Sequence, residues 1–369
     1  MRVAINCRSF LKRKHTGIGR YAYNLVQSLS AIDCQNQYFL YAKKRIFDFR
    51  RKNPKPPADN FSVKIDYFQR GLQKSCPSVD IYHLPSPDVI ENTSAKVVVT
   101  VHDMIYKRFP QGHTPQTCAL SDQYMRETVE KAEKIICCSQ STMDDLIRYF
   151  DVDQGRLRLV YQGVDNDVFY PLDHNEIDLA VSVVRKLGID NHFILFVGTL
   201  EPRKNLNHLL RAFSEIKKRE DFNRKLVVVG MKGWMVGNLK ATLQELGIDR
   251  DVVFLGYVDD KNLRYLYCLA EVFVFPSFYE GFGFPILEAF CCGASVIASS
   301  VSSCPEIAQD AALLVDPYDV KEIQQGIERL LDDETLASEL KQKAIKRSQN
   351  FSFKKTAYET LSVYKELAF

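Results

Sequence analysis

The chain has 369 residues, more than the roughly 250–300 at which a single core stops growing, so two domains are expected. With 46% apolar and 26% charged residues it has the composition of an ordinary soluble globular protein. It contains no apolar run near the roughly 18–20 residues of a membrane span. The net charge of +3 is unevenly spread, since residues 1–57 carry 13 Lys and Arg against 2 Asp and Glu. Such a region suits an anionic lipid surface or a phosphate-bearing acceptor, or is simply a solvated basic face. No stacking aromatics interleave with the charges, so nucleic acid is not expected.

The start of the chain, Met1 to Asn6, is too short an apolar stretch for a signal peptide and reads as a first buried strand. The ten cysteines include the adjacent pairs Cys137-Cys138 and Cys291-Cys292 but no Cys-x-x-Cys. They read as small buried hydrophobes rather than metal ligands. Short apolar runs then alternate with amphipathic ones, the pattern of parallel sheets with crossover helices. Strands are predicted at 3–6, 38–42, 63–68, 81–84, 97–101, 135–139 and 157–161, with helices starting near Gly19, Ser121 and Ser141. Prolines place exposed loops at 50–60 and 105–117.

The pattern restarts in the second half. Strands are predicted at 193–197, 226–229, 252–255, 272–275, 295–298 and 313–315. Helices fall at about 205–219, 234–246, 260–270, 285–292, 319–331 and 333–347. The linker lies between 163 and 188, with Pro171 as its breaker. Two doubly wound α/β domains, 1–170 and 171–350, are therefore expected, with ligands at the carboxyl ends of the strands.

The stretch Ser277-Phe278-Tyr279-Glu280-Gly281-Phe282-Gly283-Phe284-Pro285-Ile286-Leu287-Glu288 follows an apolar strand and leads into a helix. Free N–H groups at such a helix start favour a phosphate. Ionised carboxylates, which only accept hydrogen bonds, suit the hydroxyls of a sugar. Arg203-Lys204 follows another strand and the turn Gly198-Thr199-Leu200-Glu201-Pro202. Two cations there suit a pyrophosphate, although such a pair standing alone is more often a solvated helix start, and it gains weight from being in register with Glu280–Glu288. Gly17-Ile18-Gly19-Arg20-Tyr21-Ala22 fits a dinucleotide fingerprint in letters but lies too far from the first strand. His102-Asp103 ends a strand and reads by itself as a structural pair in which Asp103 orients the ring. Ser139 reads as a helix cap, and the Asp-x-Asp spacings at 151/153, 165/167 and 249/251 read as turns.

Taken together, these motifs resemble the retaining glycosyltransferases of family 4, which have the GT-B fold of two facing Rossmann-like domains. The match runs from Thr16-Gly17-Ile18-Gly19 through His102-Asp103, Gly163-Val164-Asp165, Gly198 to Asn205 and Phe254 to Val258, and on to Glu280–Glu288 and Pro305-Glu306. The resemblance implies that Arg203 and Lys204 hold the donor diphosphate and that Glu288 takes the ribose hydroxyls. It implies that Glu280, with the backbone of Gly281, Phe282, Gly283 and Phe284, holds the donor sugar and β-phosphate, with Leu287 beside them. His102 would sit near the sugar's C6 oxygen, the Gly17–Gly19 loop over the phosphates, Gly198 at the turn, and Tyr257-Val258 at the base. The end of the chain, 351–369, would cross back as a helix onto the first domain.

The expectation is thus a metal-independent retaining hexosyltransferase, cytoplasmic or peripheral at the membrane, that needs no cofactor beyond its co-substrate, a nucleoside diphosphate sugar (GDP-mannose or a UDP-sugar). The acceptor would be a glycan or lipid-linked oligosaccharide in polysaccharide biosynthesis. A synthase or phosphorylase for a small soluble sugar, and an NAD(P)-dependent oxidoreductase resting on Gly17–Ala22, are the alternatives. Residues 40–95 and 104–120 carry no motif that names the acceptor.

Overall fold

The computed structural model describes residues 1–11, 17–48, 53–189, 192–231, 233 and 239–368. The Lys12-Arg13-Lys14 run, Thr16, residues 50–52 and residues 234–238 of an expected helix lie outside the described residues. The chain forms two compact units, Met1–Gly163 with Ser352–Phe369, and Val164–Phe351. The boundaries therefore fall at 163/164 and 351/352 rather than at the expected 170/171 and 350/351.

In the first unit, β1 (Arg2–Asn6), β2 (Gln37–Lys43), β3 (Phe61–Asp66), β4 (Ile81–Leu84), β5 (Lys96–Val101), β6 (Lys134–Cys137) and β7 (Leu157–Leu159) form one sheet. All pairings are parallel, in the order β3-β2-β1-β4-β5-β6-β7. Side chains alternate across it, as the pleat requires. Val3, Ile5 and Val98 meet Tyr21, Leu25 and Leu29 of the helix Gly17–Ile32, whose helical spacing makes one apolar stripe. Ala4, Val97, Val99 and Val101 serve the core on the other face, with Met125, Val129 and Leu146. The helix Phe353–Ala368 adds Ala357, Leu361 and Tyr364 to the first of these cores, as the resemblance implied. A buried polar chain runs through the unit. The Tyr21 hydroxyl and His83 Nε2 both meet the Thr100 hydroxyl, at 3.1 and 2.9 Å, and His83 Nδ1 meets the Tyr364 hydroxyl at 2.6 Å.

The second unit repeats the plan with β8 (Phe193–Val197), β9 (Lys225–Val229), β10 (Val252–Gly256), β11 (Val272–Phe275), β12 (Val296–Ser299) and β13 (Leu313–Val315). These six strands are parallel, in the order β10-β9-β8-β11-β12-β13. The central strands β8 and β11 are buried along their whole length, which is why they read as unbroken apolar runs. At Gly230, after β9, the chain passes so close to the turn after β8 that an added Cβ would lie 1.9 Å from the Gly198 carbonyl oxygen. Only glycine fits there.

Several local expectations change. The stretch 105–117 is not a loop, because Ile105–Arg108 is a helical turn and a long helix begins at Pro115, with Thr114 capping the Thr117 N–H. Pro115 occupies a helix start, where its missing N–H costs nothing. The expected linker contains a helix, Ile177–Lys186. Gly17 and Gly19 open the helix Gly17–Ile32 instead of lying in a glycine loop. Among the described residues no helix is long and apolar enough to cross a membrane.

Candidate active site

In both sheets the strand order reverses beside the first strand, between β1 and β4 and between β8 and β11. Such a switch point opens a crevice at the carboxyl ends of the two strands, where open α/β sheets bind ligands. In the second unit Arg203 and Lys204 follow β8, in a 3-10 turn Pro202–Lys204, and Glu280 follows β11. The fold thus brings together residues 76 positions apart. The Arg203 Nη1 lies 2.8 Å from Glu280 Oε2, and the Lys204 Nζ lies 2.5 Å from Glu280 Oε1. Arg203 also reaches the Glu201 carboxylate, through Nε at 2.7 Å, and the Tyr279 carbonyl at 3.0 Å. Lys204 stands 4.9 Å from the centre of the Phe275 ring.

The electrostatics follow from burial. Taken alone, burial would raise the Glu280 carboxyl, but the adjacent Arg203 and Lys204 outweigh it and hold the group at about 2. Burial and the neighbouring Arg203 lower the Lys204 ammonium, against the pull of Glu280. The cluster pairs two cations with the carboxylates of Glu280 and Glu201, and this compensation lets it sit in the interior.

The Glu280 loop is fixed from outside its own motif. Its N–H donates to the Ser302 hydroxyl at 3.0 Å, and the Ser303 hydroxyl donates to the carbonyls of Glu280 and Phe282. Gly283, at φ 109°, turns the chain into the helix Phe284–Cys291. Leu287 and Glu288 are buried on that helix, and the Tyr267 hydroxyl donates to Glu288 Oε2 at 3.1 Å. Val258 is buried and Tyr257 exposed, just beyond β10. The serines and Tyr267 escaped sequence reasoning, since nothing local marks a hydroxyl that serves a distant loop.

His102 belongs to the first unit, after β5. Its Nε2–H donates to the Pro85 carbonyl at 2.6 Å, and its Nδ1 accepts from Gln162 Nε2 at 2.7 Å. Burial lowers its imidazole below the usual range, so the ring is neutral with its proton on Nε2. Tyr21 meets the ring edge-on at 4.8 Å. Asp103 does not orient this ring, contrary to expectation; its Oδ1 accepts from the Ile105 N–H at 3.0 Å. Ser139 caps its helix as read, accepting from the Thr142 N–H. Among the described residues no cluster of three or more His, Cys, Asp and Glu could hold a metal.

Two family models match the chain, "Glycosyltransferase Family 4" over residues 15–168 and "Glycosyl transferases group 1" over residues 184–347. The chain is also 31% identical over 288 residues to the O-antigen chain mannosyltransferase B of Escherichia coli, covering 78% of this chain and 74% of that one. The chain belongs to glycosyltransferase family 4. This family 4 glycosyltransferase is 29% identical over 286 residues to the serotype-specific mannosyltransferase WbdA of Escherichia coli, and there the match covers 75% of this chain but only 34% of the relative. Solved structures share its two-sheet, GT-B-like architecture. Sucrose-phosphate synthase from Thermosynechococcus elongatus superposes with a TM-score of 0.76 at 20% identity over 100% of this chain and 99% of that one. Anabaena HepE, crystallised with UDP and glucose, superposes with a TM-score of 0.74 at 18% identity over 99% and 100%.

Proposed function

We propose that this family 4 glycosyltransferase moves a hexose, with retention of configuration, from a nucleoside diphosphate sugar to a glycan or lipid-linked acceptor in polysaccharide biosynthesis. The observation that carries this reading is the Arg203–Glu280–Lys204 cluster at the switch point of the second sheet. A diphosphate placed there meets a planar guanidinium fork and a point cation that are already desolvated, so the charge developing on the leaving phosphate is stabilised without reorganisation. Glu280, ionised at any physiological pH, is then the acceptor for hydroxyls of the transferred sugar. Glu288, steadied by Tyr267, takes the ribose, the backbone of Gly281 to Phe284 takes the phosphates, and Gly198, Tyr257 and Val258 line the nucleotide. In the first unit Gly17 and Gly19 serve the phosphates. His102 has both ring nitrogens committed, so its part is to shape the sugar site rather than to move a proton.

A mannosyl donor is the first choice, because the O-antigen chain mannosyltransferase B is 31% identical to this chain. A peripheral place at the cytoplasmic face of a membrane is supported by Phe47 and Phe68, 82% and 67% exposed, beside Lys44, Arg45 and Arg70. The test is a thermal-shift panel of UDP, GDP, ADP and their sugars. A ligand at about 100 times its dissociation constant stabilises by roughly 2.7 kcal/mol. GDP-mannose is expected to give the largest shift, Lys204→Ala to abolish it, and NMR of the product to show the donor's anomeric configuration kept. A panel without any shift sinks the donor site, and an inverted product sinks retention.

A further inference from the structure

Glu280 is held at every polar atom it has. Its carboxylate oxygens meet Arg203 Nη1 and Lys204 Nζ, its N–H donates to Ser302 Oγ at 3.0 Å, and its carbonyl accepts from Ser303 Oγ at 3.0 Å. The two serines stand beyond the carboxyl end of β12, the strand beside β11 in the sheet. They differ in backbone. Ser303 has an ordinary φ of −77°, whereas Ser302 lies at φ 56°, in the left-handed region. A side chain makes that conformation unfavourable, and serine lacks the tolerance of it that asparagine has. Among the described residues five non-glycine residues have such a φ. Gln69, Ser78 and Gln309 are exposed, where a surface turn is reason enough. The other two flank the charged cluster. Asn205 directly follows Lys204, and its amide donates to the carbonyls of Pro276, just after β11, and of Pro317. Ser302, half-buried, holds Glu280.

We propose that Ser302 is a positioning residue for sugar transfer, whose left-handed backbone aims its hydroxyl at the Glu280 main chain and so fixes where the Glu280 carboxylate meets the donor's sugar. The inference rests on the glycosyltransferase reading above. A glycine at position 302 would adopt the same φ without penalty, but it would offer the Glu280 N–H no oxygen. An unfavourable conformation that persists beside a reaction site is one held there by its surroundings for the geometry it gives. That geometry has a use here, because each carboxylate oxygen has about two acceptor positions. The cations take one on each oxygen, so hydroxyls of the sugar must find the rest, and those positions swing with the Glu280 main chain. Arg203 and Lys204 stand on a different segment, the turn Pro202–Lys204 after β8. Ser302 therefore governs the sugar's share of the site and not the diphosphate's.

The test compares Ser302→Gly and Ser302→Ala in the full chain by thermal unfolding, nucleotide binding and steady-state transfer. GDP and GDP-mannose are the probes, replaced by UDP and UDP-glucose if the wild-type chain selects uridine. Both variants lack the hydroxyl, but only Ser302→Ala retains the unfavourable φ, so Ser302→Gly is expected to unfold about 1–5 °C higher than Ser302→Ala. Despite that difference both should lose about tenfold in kcat. Both should bind GDP within about twofold of the wild type and GDP-mannose about three- to tenfold more weakly. A role confined to folding gives another pattern, in which Ser302→Gly works like the wild type and only Ser302→Ala is impaired. The proposal is overturned if Ser302→Gly transfers as fast as the wild type, if the two rates follow the unfolding temperatures, or if GDP and GDP-mannose lose affinity alike. Should Ser302→Ala not fold, Ser302→Gly decides alone, by its kcat and by the contrast between the two ligands. A wild-type chain that binds neither a GDP- nor a UDP-sugar sinks the transferase reading before any variant is compared, and takes the proposal with it, so the two failures are distinct.

Discussion

The two sheets share one order over six strands, the first adding β7 at its edge, and one kind of switch point, yet they build different chemistry there. Beside β8 and β11 the fold gathers full charges, two cations against Glu280 and Glu201, at distances of 2.5–2.8 Å. Beside β1 and β4 it holds the His102 ring between an amide and a carbonyl, over a buried chain of hydroxyls and His83, with a single exposed Arg8–Asp88 pair at 3.1 Å linking the segments after the two strands. The topology thus sets where ligands go, and the side chains at the strand ends set which ligands they are. Charge compensation keeps the second unit's cluster ready for an anion, and burial with two hydrogen bonds keeps the His102 ring neutral.

The largest expected effect tests the charged half. Lys204→Ala should lower kcat about 100- to 1,000-fold, roughly 3–4 kcal/mol, because it removes a preorganised cation from the leaving phosphate. Steady-state kinetics with donor and acceptor measure it. A loss under tenfold would mean that Arg203 alone carries the diphosphate and that the two-cation picture is wrong.

Acid should separate the two units next, by a few kcal/mol of stability. Burial depresses His83 from its usual 6.5 to about 3. Below pH 6.5 the unfolded chain takes up a proton that the folded unit refuses, so this contribution is full above 6.5 and is lost as the pH falls towards 3. Glu280 is depressed from 4.5 to about 2, so its contribution is full above 4.5 and is lost only as the pH falls towards 2. Hydrogen exchange read by mass spectrometry should show the first unit opening at higher pH than the second. Simultaneous opening would erase the distinction.

Two hydroxyl deletions complete the comparison. Tyr364→Phe removes the partner of the buried His83 Nδ1 and should cost about 1–3 kcal/mol, seen as a lower denaturation midpoint. Tyr267→Phe removes one hydrogen bond that steadies Glu288 and should raise the donor KM about three- to tenfold with kcat unchanged, near 1 kcal/mol. A fall in kcat instead would move Glu288 from ribose binding to the chemical step.

Much of the second unit was legible because its motif residues sit where an apolar run stops. Phe193 to Val197 ends before Arg203-Lys204, and Val272 to Phe275 ends before Glu280, so strand ends and ligand groups are adjacent in the sequence. The first unit was less legible. Prolines at 110 and 115 read as loop, yet Pro110 opens a 3-10 turn and Pro115 a helix, which are the positions where proline is tolerated. His102 was read with its neighbour Asp103, while its actual partners, Pro85 and Gln162, come from two other strand ends.

The sequence by itself determined the two α/β units, the position of nearly every strand and which charged residues follow the strand ends, because periodicity and strand-end chemistry are local properties of the chain. Only the tertiary structure decided how those residues are paired. Glu280 is an isolated carboxylate in the sequence and the counter-ion of Arg203 and Lys204 in the fold, and His102 changes from half of a His-Asp pair into a ring with no free nitrogen. Both outcomes depend on strands that are neighbours in the sheet but distant in the chain, and a hydrogen bond or ion pair between such strands leaves no mark on either one's sequence.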